Sequence, residues 1–225
     1  HGEQMYTPLN VDQAELAVEL LEREYKNAKY YLNFKTPIEL LVAAILSAQT
    51  RDNVVNAITP RLFEKYKTAH DYATAKPEEL LSIVNSVSFA GNKVKNIINA
   101  CRIIEQKYKG NVPNSMDELL SLPGIGRKTA NTILINAYGI VAGIPVDTWV
   151  IKLSYRIGLS GNKDPEKIEQ DLMQVVKKRY WHNFAYVLKS HGKAVCQSLV
   201  PLCSKCILGP NQKGICMRNG VIKSA

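Results

Sequence analysis

Four cysteines near the end of the chain have a spacing that suits a metal site. Cys196, Cys203, Cys206 and Cys216 fall within 21 residues and are separated by six, two and nine residues. Cys101 stands alone within an apolar helical pattern, so we expect it in the hydrophobic core. No secretory signal pattern precedes the first predicted helix, and disulfides are uncommon in proteins that stay inside the cell. The four cysteines therefore indicate a bound metal or metal cluster rather than disulfide bonds.

A second segment that could do chemistry is residues 122–134, Leu-Pro-Gly-Ile-Gly-Arg-Lys-Thr-Ala-Asn-Thr-Ile-Leu. One helix is predicted to end at Leu122 and another to begin near Arg127, with a Pro-Gly-x-Gly turn between them. Gly124 and Gly126 let the backbone approach a ligand closely, and amides at the start of the second helix favour an anion such as phosphate. A lone Gly-x-Gly is weak evidence. The ordered string of helix, turn and helix, however, predicts a helix-hairpin-helix that binds a DNA backbone without reading its sequence.

Lys128 and Asp147 are the residues near this segment with catalytic potential. Lys128 lies in the first turn of the second helix, where the helix dipole disfavours its charged form, and a partly neutral amine can form a Schiff base. Its position alone nevertheless favours a phosphate contact or a merely exposed lysine. Asp147 comes nineteen residues later, directly before a helical pattern, so its default role is a helix N-cap. It would become catalytic if the two helices face each other across a cleft.

The positive charge of the chain is concentrated in its last 49 residues. The net charge is +9, from 29 Lys or Arg against 20 Asp or Glu. Residues 177–225 contain nine basic residues and no acidic one, whereas residues 1–176 balance 20 basic against 20 acidic residues. A segment with one sign of charge is typical of a protein that binds a polyanion, most often nucleic acid. A solvated basic tail would show the same pattern.

The positions of apolar residues predict an all-α fold of about ten helices, because they recur at three and four residues in segment after segment. Thr36, Ser115 and Asp164 are predicted to cap helix starts, and the helix after Asp164 is predicted to reach Lys178. The glycines predicted to end helices are Gly91, Gly110, Gly139, Gly158 and Gly192. Apolar residues make up 46% of the chain, but no uninterrupted run is long enough to span a membrane. We therefore expect an intracellular protein with a sizeable core.

Taken together, these motifs resemble the endonuclease III family of the helix-hairpin-helix DNA glycosylase superfamily. The resemblance rests on residues 122–131, Val146–Thr148, the Leu-Ser-Ala-Gln string 46–49 and the four cysteines, and it runs in order from about Leu32 to Cys216. It implies two helical lobes with a DNA-binding cleft. One domain would be a six-helix barrel over residues 30–140 that contains the hairpin. The other would combine residues 1–29 with 141–225 and carry the cysteine loop.

The resemblance also implies roles for individual residues. Lys128 matches the family's nucleophile, which attacks C1′ of a flipped nucleotide and breaks the strand by β-elimination, and Asp147 matches the aspartate that assists the attack. Gln49 matches the glutamine that fills the space left by the flipped nucleotide, although a buried amide bonded to the backbone is the alternative. Phe89 falls where relatives carry an apolar wedge, although a core phenylalanine is equally compatible. The remaining expected DNA contacts are Gly124, Gly126, Arg127 and Lys205.

Two departures from the family pattern affect the cofactor and the substrate. Relatives separate the four cysteines by six, two and five residues, whereas the last gap here is nine. The extra residues lie in the loop 209–214, where added length costs little closure entropy. The resemblance therefore implies a [4Fe-4S] cluster, with a structural zinc ion as the alternative. Trp149 stands where many relatives have histidine, which leaves the fine substrate preference open.

The resemblance implies a bifunctional DNA glycosylase and apurinic/apyrimidinic lyase of base excision repair, which removes oxidised pyrimidines from damaged double-stranded DNA. One alternative is a monofunctional glycosylase for uracil, thymine or adenine mismatches, against which Lys128 argues. A non-catalytic helix-hairpin-helix DNA-binding module and an electron-transfer protein are the others. We expect a monomer with no membrane partner, located in the cytoplasm or nucleoid if the source is prokaryotic.

Overall fold

The computed structural model describes residues 5–225, and all of the regular secondary structure in this range is helical. The predicted all-α fold is therefore confirmed. Eleven α-helices occur in the described residues: α1 Val11–Glu24, α2 Pro37–Ser47, α3 Asp52–Lys65, α4 Ala69–Ala73, α5 Pro77–Val84, α6 Ala90–Lys107, α7 Met116–Leu120, α8 Arg127–Tyr138, α9 Thr148–Ile157, α10 Pro165–Val175 and α11 Phe184–Ala194. Two short 3₁₀ helices are Lys178–Tyr180 and Cys203–Lys205.

The predicted helix starts are confirmed by their capping bonds. The Thr36 hydroxyl accepts from the Glu39 amide at 3.3 Å, and the Ser115 hydroxyl accepts from the Glu118 amide at 3.2 Å. A carboxylate oxygen of Asp164 accepts from the Glu166 amide at 3.4 Å. Each bond satisfies one of the amides that a helix leaves without an internal partner.

Three of the predicted helix ends are wrong. Gly139 and Gly158 do end α8 and α9 in the left-handed conformation, with φ of +63° and +105°. Gly91, however, lies inside α6 and Gly192 lies inside α11. The helix after Asp164 also ends at Val175, three residues before the predicted end.

One compact unit of the fold comprises Tyr31–Ala142. Its central element is α2, in which eight of eleven residues are buried, from Ile38 to Leu46. This helix packs on α3, α6 and α8, which explains why its sequence is apolar on all sides. Cys101, on α6, is fully buried in this core as expected.

The second compact unit combines His1–Tyr30 with Gly143–Ala225; residues 1–4 of the expected second domain lie outside the described residues. In this unit α1 packs on α10 and α11, and α9 packs on α11. The C-terminal segment contacts the residues before α1 and the end of α9, since the Asn219 side-chain amide donates to the Thr7 carbonyl at 2.8 Å and to the Tyr155 carbonyl at 3.0 Å. No helix in residues 5–225 is both long and apolar enough to cross a membrane.

Candidate functional site

The predicted hairpin is formed by α7, a turn and α8. Gly124 has a φ of +81°, and a Cβ on it would lie 3.0 Å from the Cβ of Asn96, so both the backbone conformation and the space favour glycine. Gly126 is the N-cap residue of α8, and a Cβ there would meet nothing within 4 Å. The exposed Gly126 therefore leaves the first amides of α8 open to a ligand. The half-buried Arg127 begins the helix.

Lys128 is the second residue of α8 and its side chain is exposed. Its carbonyl accepts from the Thr132 hydroxyl at 2.9 Å, a bond within the helix. The first turn of α8, in which Lys128 lies, carries the positive end of the helix dipole.

Asp147 caps the N-terminus of α9, as its position predicts. One carboxylate oxygen, Oδ1, accepts from the Val150 amide at 2.8 Å. The residue is half-buried. The cap bond fixes the rotamer of the carboxylate, so the orientation of its second oxygen is also set.

Gln49 and Phe89 are both exposed, and both have left-handed backbones. Each has a φ of +54°, and the Phe89 side chain is 68% exposed. The alternatives of a buried amide and a core phenylalanine are therefore excluded. A left-handed residue other than glycine stores about 1–2 kcal/mol of strain, which persists only where the surrounding structure holds it.

The four clustered cysteines line one cavity, with about 370 Å³ of space, part of which is open to solvent. The wall behind it is tight, because a Cβ on Gly209 would lie 2.2 Å from the Cys203 carbonyl oxygen. Lys205, between Cys203 and Cys206, is exposed. All four cysteines that the sequence predicts as ligands therefore line the same cavity.

Burial and a nearby cation shape the chemistry of the thiols. Burial raises the pKa of Cys206 to about 11 and that of Cys216 to about 12. Burial also raises the pKa of Cys196, although the Arg156 guanidinium opposes this by donating to its sulfur at 3.4 Å. The protons must therefore be displaced when a metal binds these sulfurs.

Arg156, which the sequence did not single out, holds the first cysteine of the loop in place. Its guanidinium donates to the carbonyls of Cys196, Gln197 and Ser198 at 3.2, 2.8 and 2.7 Å. Planar, divergent donors of this kind fix a loop better than a single ammonium would. No local pattern marks this role, because Arg156 lies 40 residues from Cys196 in the chain.

His191 is a second residue at this cavity whose role was not predicted. It is 2% exposed, and burial lowers its pKa to about 4. Its Nε2 lies 3.4 Å from the Cys206 sulfur and its Nδ1 lies 2.7 Å from the Tyr25 hydroxyl. His191 thus connects the end of α1 with the cysteine loop.

Trp149, the departure from the family pattern, packs against α11. A Cβ on Gly192 would lie 2.2 Å from Cε3 of the Trp149 ring. The Lys152 ammonium lies 5.9 Å from the centre of a Trp149 ring. The large ring is therefore accommodated by a glycine inside the neighbouring helix, so Gly192 serves packing rather than helix termination.

Within residues 5–225, no three His, Cys, Asp or Glu side chains converge closely enough to hold a single metal ion.

The chain is similar to proteins of known identity along most of its length. Residues 42–178 match the family described as HhH-GPD superfamily base excision DNA repair protein. Endonuclease III of Synechocystis sp. is 46% identical over 189 residues, which cover 84% of this chain and 86% of the relative. Endonuclease III of Bacillus subtilis is 39% identical over 201 residues, which cover 89% and 91%. A solved structure of a trapped endonuclease III–DNA covalent intermediate matches with a TM-score of 0.87 at 35% identity, covering 94% of this chain and 97% of that chain.

Proposed function

This chain belongs to the endonuclease III family of HhH-GPD base excision DNA repair proteins, and we propose that it removes oxidised pyrimidines from duplex DNA and then breaks the strand. It is an enzyme, a DNA glycosylase with abasic-site lyase activity. The observation that carries the proposed mechanism is the exposed Lys128 at the start of α8, directly after the hairpin turn. The trapped covalent complex of a relative supports a covalent step.

Binding to DNA would rely on backbone contacts and on the basic C-terminal segment. The amides at the N-terminus of α8 suit a phosphate, because they point at the ligand and carry the positive end of the dipole. Gly126 has no side chain to block them. Residues 177–225, with nine basic residues and no acidic one, would add a contribution that does not depend on base sequence. Lys205 belongs to this segment and is exposed.

Lys128 acts as the nucleophile in this proposal. Its amine attacks C1′ of the flipped nucleotide, and the bond from C1′ to the base breaks while the base leaves with the electron pair and takes up a proton. Loss of the amine proton and opening of the sugar ring give a Schiff base between Nζ and C1′. Removal of a proton from C2′ then expels the 3′ phosphate, and water finally releases the lysine.

Asp147 assists this attack through its carboxylate. The cap bond to the Val150 amide uses Oδ1, so we assign the catalytic role to the second oxygen. That oxygen would accept a proton from the lysine or stabilise positive charge that develops on the sugar. A carboxylate with its rotamer fixed by a helix cap is pre-organised for either task.

Gln49 and Phe89 would occupy the space that the flipped nucleotide leaves. Both side chains are exposed on loops of the same compact unit. An apolar aromatic residue can insert between base steps, and an amide can bond to the orphaned base. Their exposure supports this assignment, because an exposed side chain is accessible to DNA.

The four cysteines suit a [4Fe-4S] cluster. They line one cavity, and four cysteine thiolates are the usual ligand set for such a cluster. We propose that Cys196, Cys203, Cys206 and Cys216 hold it. Once bound, the cluster would cross-link the loop and hold Lys205 at the protein surface.

Borohydride trapping tests the proposed reaction. The protein is incubated with a duplex that carries thymine glycol, and borohydride is added to reduce any Schiff base. Wild-type protein should give a covalent adduct, and Lys128→Ala should give none while its salt-dependent DNA affinity is retained. Lys107→Ala, which removes an exposed lysine from the last turn of α6, serves as the matched control and should trap normally.

Other outcomes of this experiment would overturn the proposal. Release of the base without any adduct would make the protein a monofunctional glycosylase. Neither base release nor adduct would leave a DNA-binding module, with Lys128 as a phosphate contact. An adduct of normal yield in Lys128→Ala would assign the nucleophile to a different amine.

A further inference from the structure

Lys93 is a buried lysine that the catalytic account does not use. It lies in the first turn of α6 and is 5% exposed. A buried ammonium is costly unless all of its protons are bonded. Burial lowers the pKa of Lys93. Its position therefore has to be explained by what its ammonium contacts.

The ammonium of Lys93 binds the end of α2 and the loop that carries Gln49. Its Nζ donates to the Leu46 carbonyl at 2.8 Å, to the Ala48 carbonyl at 2.5 Å and to the Thr50 hydroxyl oxygen at 3.2 Å. The last carbonyls of a helix lack internal donors and carry the negative end of the dipole, so an ammonium is well suited to them. The three acceptors lie on both sides of Gln49 in the chain and hold its left-handed backbone.

The same lysine is also bonded to Phe89, the N-cap residue of α6. Its backbone amide donates to the Phe89 carbonyl at 3.1 Å, which begins the first turn of α6. The Thr50 hydroxyl oxygen provides a second connection, because it accepts from the Ser88 amide at 3.0 Å. One ammonium and one hydroxyl thus join the two loops next to the two left-handed residues.

We propose that Lys93 is a positioning residue, which sets the spacing between Gln49 and Phe89 so that both side chains enter the duplex together when a nucleotide is flipped. The inference rests on the proposed roles of Gln49 and Phe89 at DNA. Lys93 itself is too buried to contact DNA, and it acts through the loops. An exposed side chain that must enter a base stack needs a fixed backbone, because a displacement of about 1 Å can lower a rate a hundredfold.

Single-turnover base release from two substrates tests this role. One is thymine glycol in a fully paired duplex, and the other is the same lesion inside a short mismatched bubble, where the base is already unstacked. Lys93→Met keeps the length and apolar bulk but removes the three donors. It should slow release from the paired duplex by about tenfold to a hundredfold and have much less effect on the bubble. Lys107→Met, on the same helix and exposed, is the charge-matched control and should behave as wild type on both.

A second background separates positioning from general stabilisation. In protein that already carries Gln49→Ala and Phe89→Ala, Lys93→Met should cause no further loss on the paired duplex, because the side chains that it positions are absent. If Lys93 were merely structural, Lys93→Met would lower the rate of base release from both substrates and in both backgrounds alike. That parallel loss, or a wild-type rate for Lys93→Met on the paired duplex, would overturn the inference.

Thr50 provides a test should Lys93→Met fold poorly. Thr50→Val removes the hydroxyl that joins the two loops while keeping the shape, and it should give the same preference for the bubble substrate. Thr50→Ser keeps the hydroxyl and should restore the wild-type ratio. Equal ratios in Thr50→Val and Thr50→Ser would contradict the inference. Failure of the proposed function would look different, since the wild-type protein itself would then release no base from either substrate.

Discussion

Replacing Asp147 with asparagine separates the two roles that we assign to its carboxylate. The bond from the Val150 amide to Oδ1 is 2.8 Å long, and an asparagine carbonyl oxygen can accept the same bond. Asparagine and aspartate are about equally good N-caps, whereas alanine in their place costs about 1 kcal/mol. Asp147→Asn should therefore shift the thermal midpoint by less than about 1 °C. Asp147→Ala should lower it by about 2–4 °C, as expected for a domain of this size.

Activity should follow a different order from stability. An amide neither accepts a proton from the lysine nor stabilises a developing positive charge as a carboxylate does. Losing a general base or its electrostatic equivalent costs roughly a hundredfold to ten-thousandfold in rate. Asp147→Asn should therefore reduce the single-turnover rate of base release nearly as much as Asp147→Ala does, although its stability is that of the wild type.

The combination of two measurements decides between the roles. Base release is followed under single-turnover conditions, and the thermal midpoint is measured on the same preparations. Full activity in Asp147→Asn, with a loss in Asp147→Ala that matches its lower stability, would show that the residue is only a helix cap. DNA affinity serves as the control, since it should be unchanged in Asp147→Asn.

Three further predictions concern the cysteine loop and the core. Cys203→Ser should remove absorbance near 400 nm and lower the thermal midpoint, because a metal group that binds only the folded state stabilises it; unchanged absorbance would remove Cys203 from the ligand set. Gly192→Ala should lower the free energy of unfolding, measured with denaturant, by about 1–3 kcal/mol, since its Cβ would overlap the Trp149 ring. An unchanged free energy of unfolding would show that α9 and α11 shift apart freely. Burial raises the pKa of Glu22 from 4.5 to about 7, so the folded state holds a proton that the unfolded chain has lost, and stability falls as the pH rises between these values. Glu22→Gln should thus raise the thermal midpoint at pH 8 and not at pH 4, and equal midpoints at pH 8 would contradict this reasoning.

The helical framework could be predicted because it depends on local chemistry. Thr36, Ser115 and Asp164 cap their helices through bonds to residues two or three positions along the chain, so a short string of sequence contains the whole interaction. The left-handed ends at Gly139 and Gly158 are local in the same way. The motif at residues 122–134 likewise lies within one contiguous segment.

The failures come from residues whose environment is built by distant parts of the chain. Gly192 was predicted to end a helix, but the Trp149 ring requires a glycine inside α11. His191 contacts Tyr25, which lies 166 residues away, and Cys206. Lys93 contacts carbonyls 45 and 47 residues away. No periodicity or spacing reports such contacts, because they depend on which helices pack together.

Mapping the site of the covalent adduct tests the central claim most directly. After borohydride reduction on a thymine glycol duplex, the protein is digested with nuclease and trypsin, and the modified peptide is identified by mass spectrometry. Trypsin cleaves after Arg127 but not after a modified lysine, so the mechanism predicts the sugar remnant on the peptide 128–152. A remnant on the peptide that contains Lys205, or on any lysine other than Lys128, would contradict the assignment of Lys128 as the nucleophile.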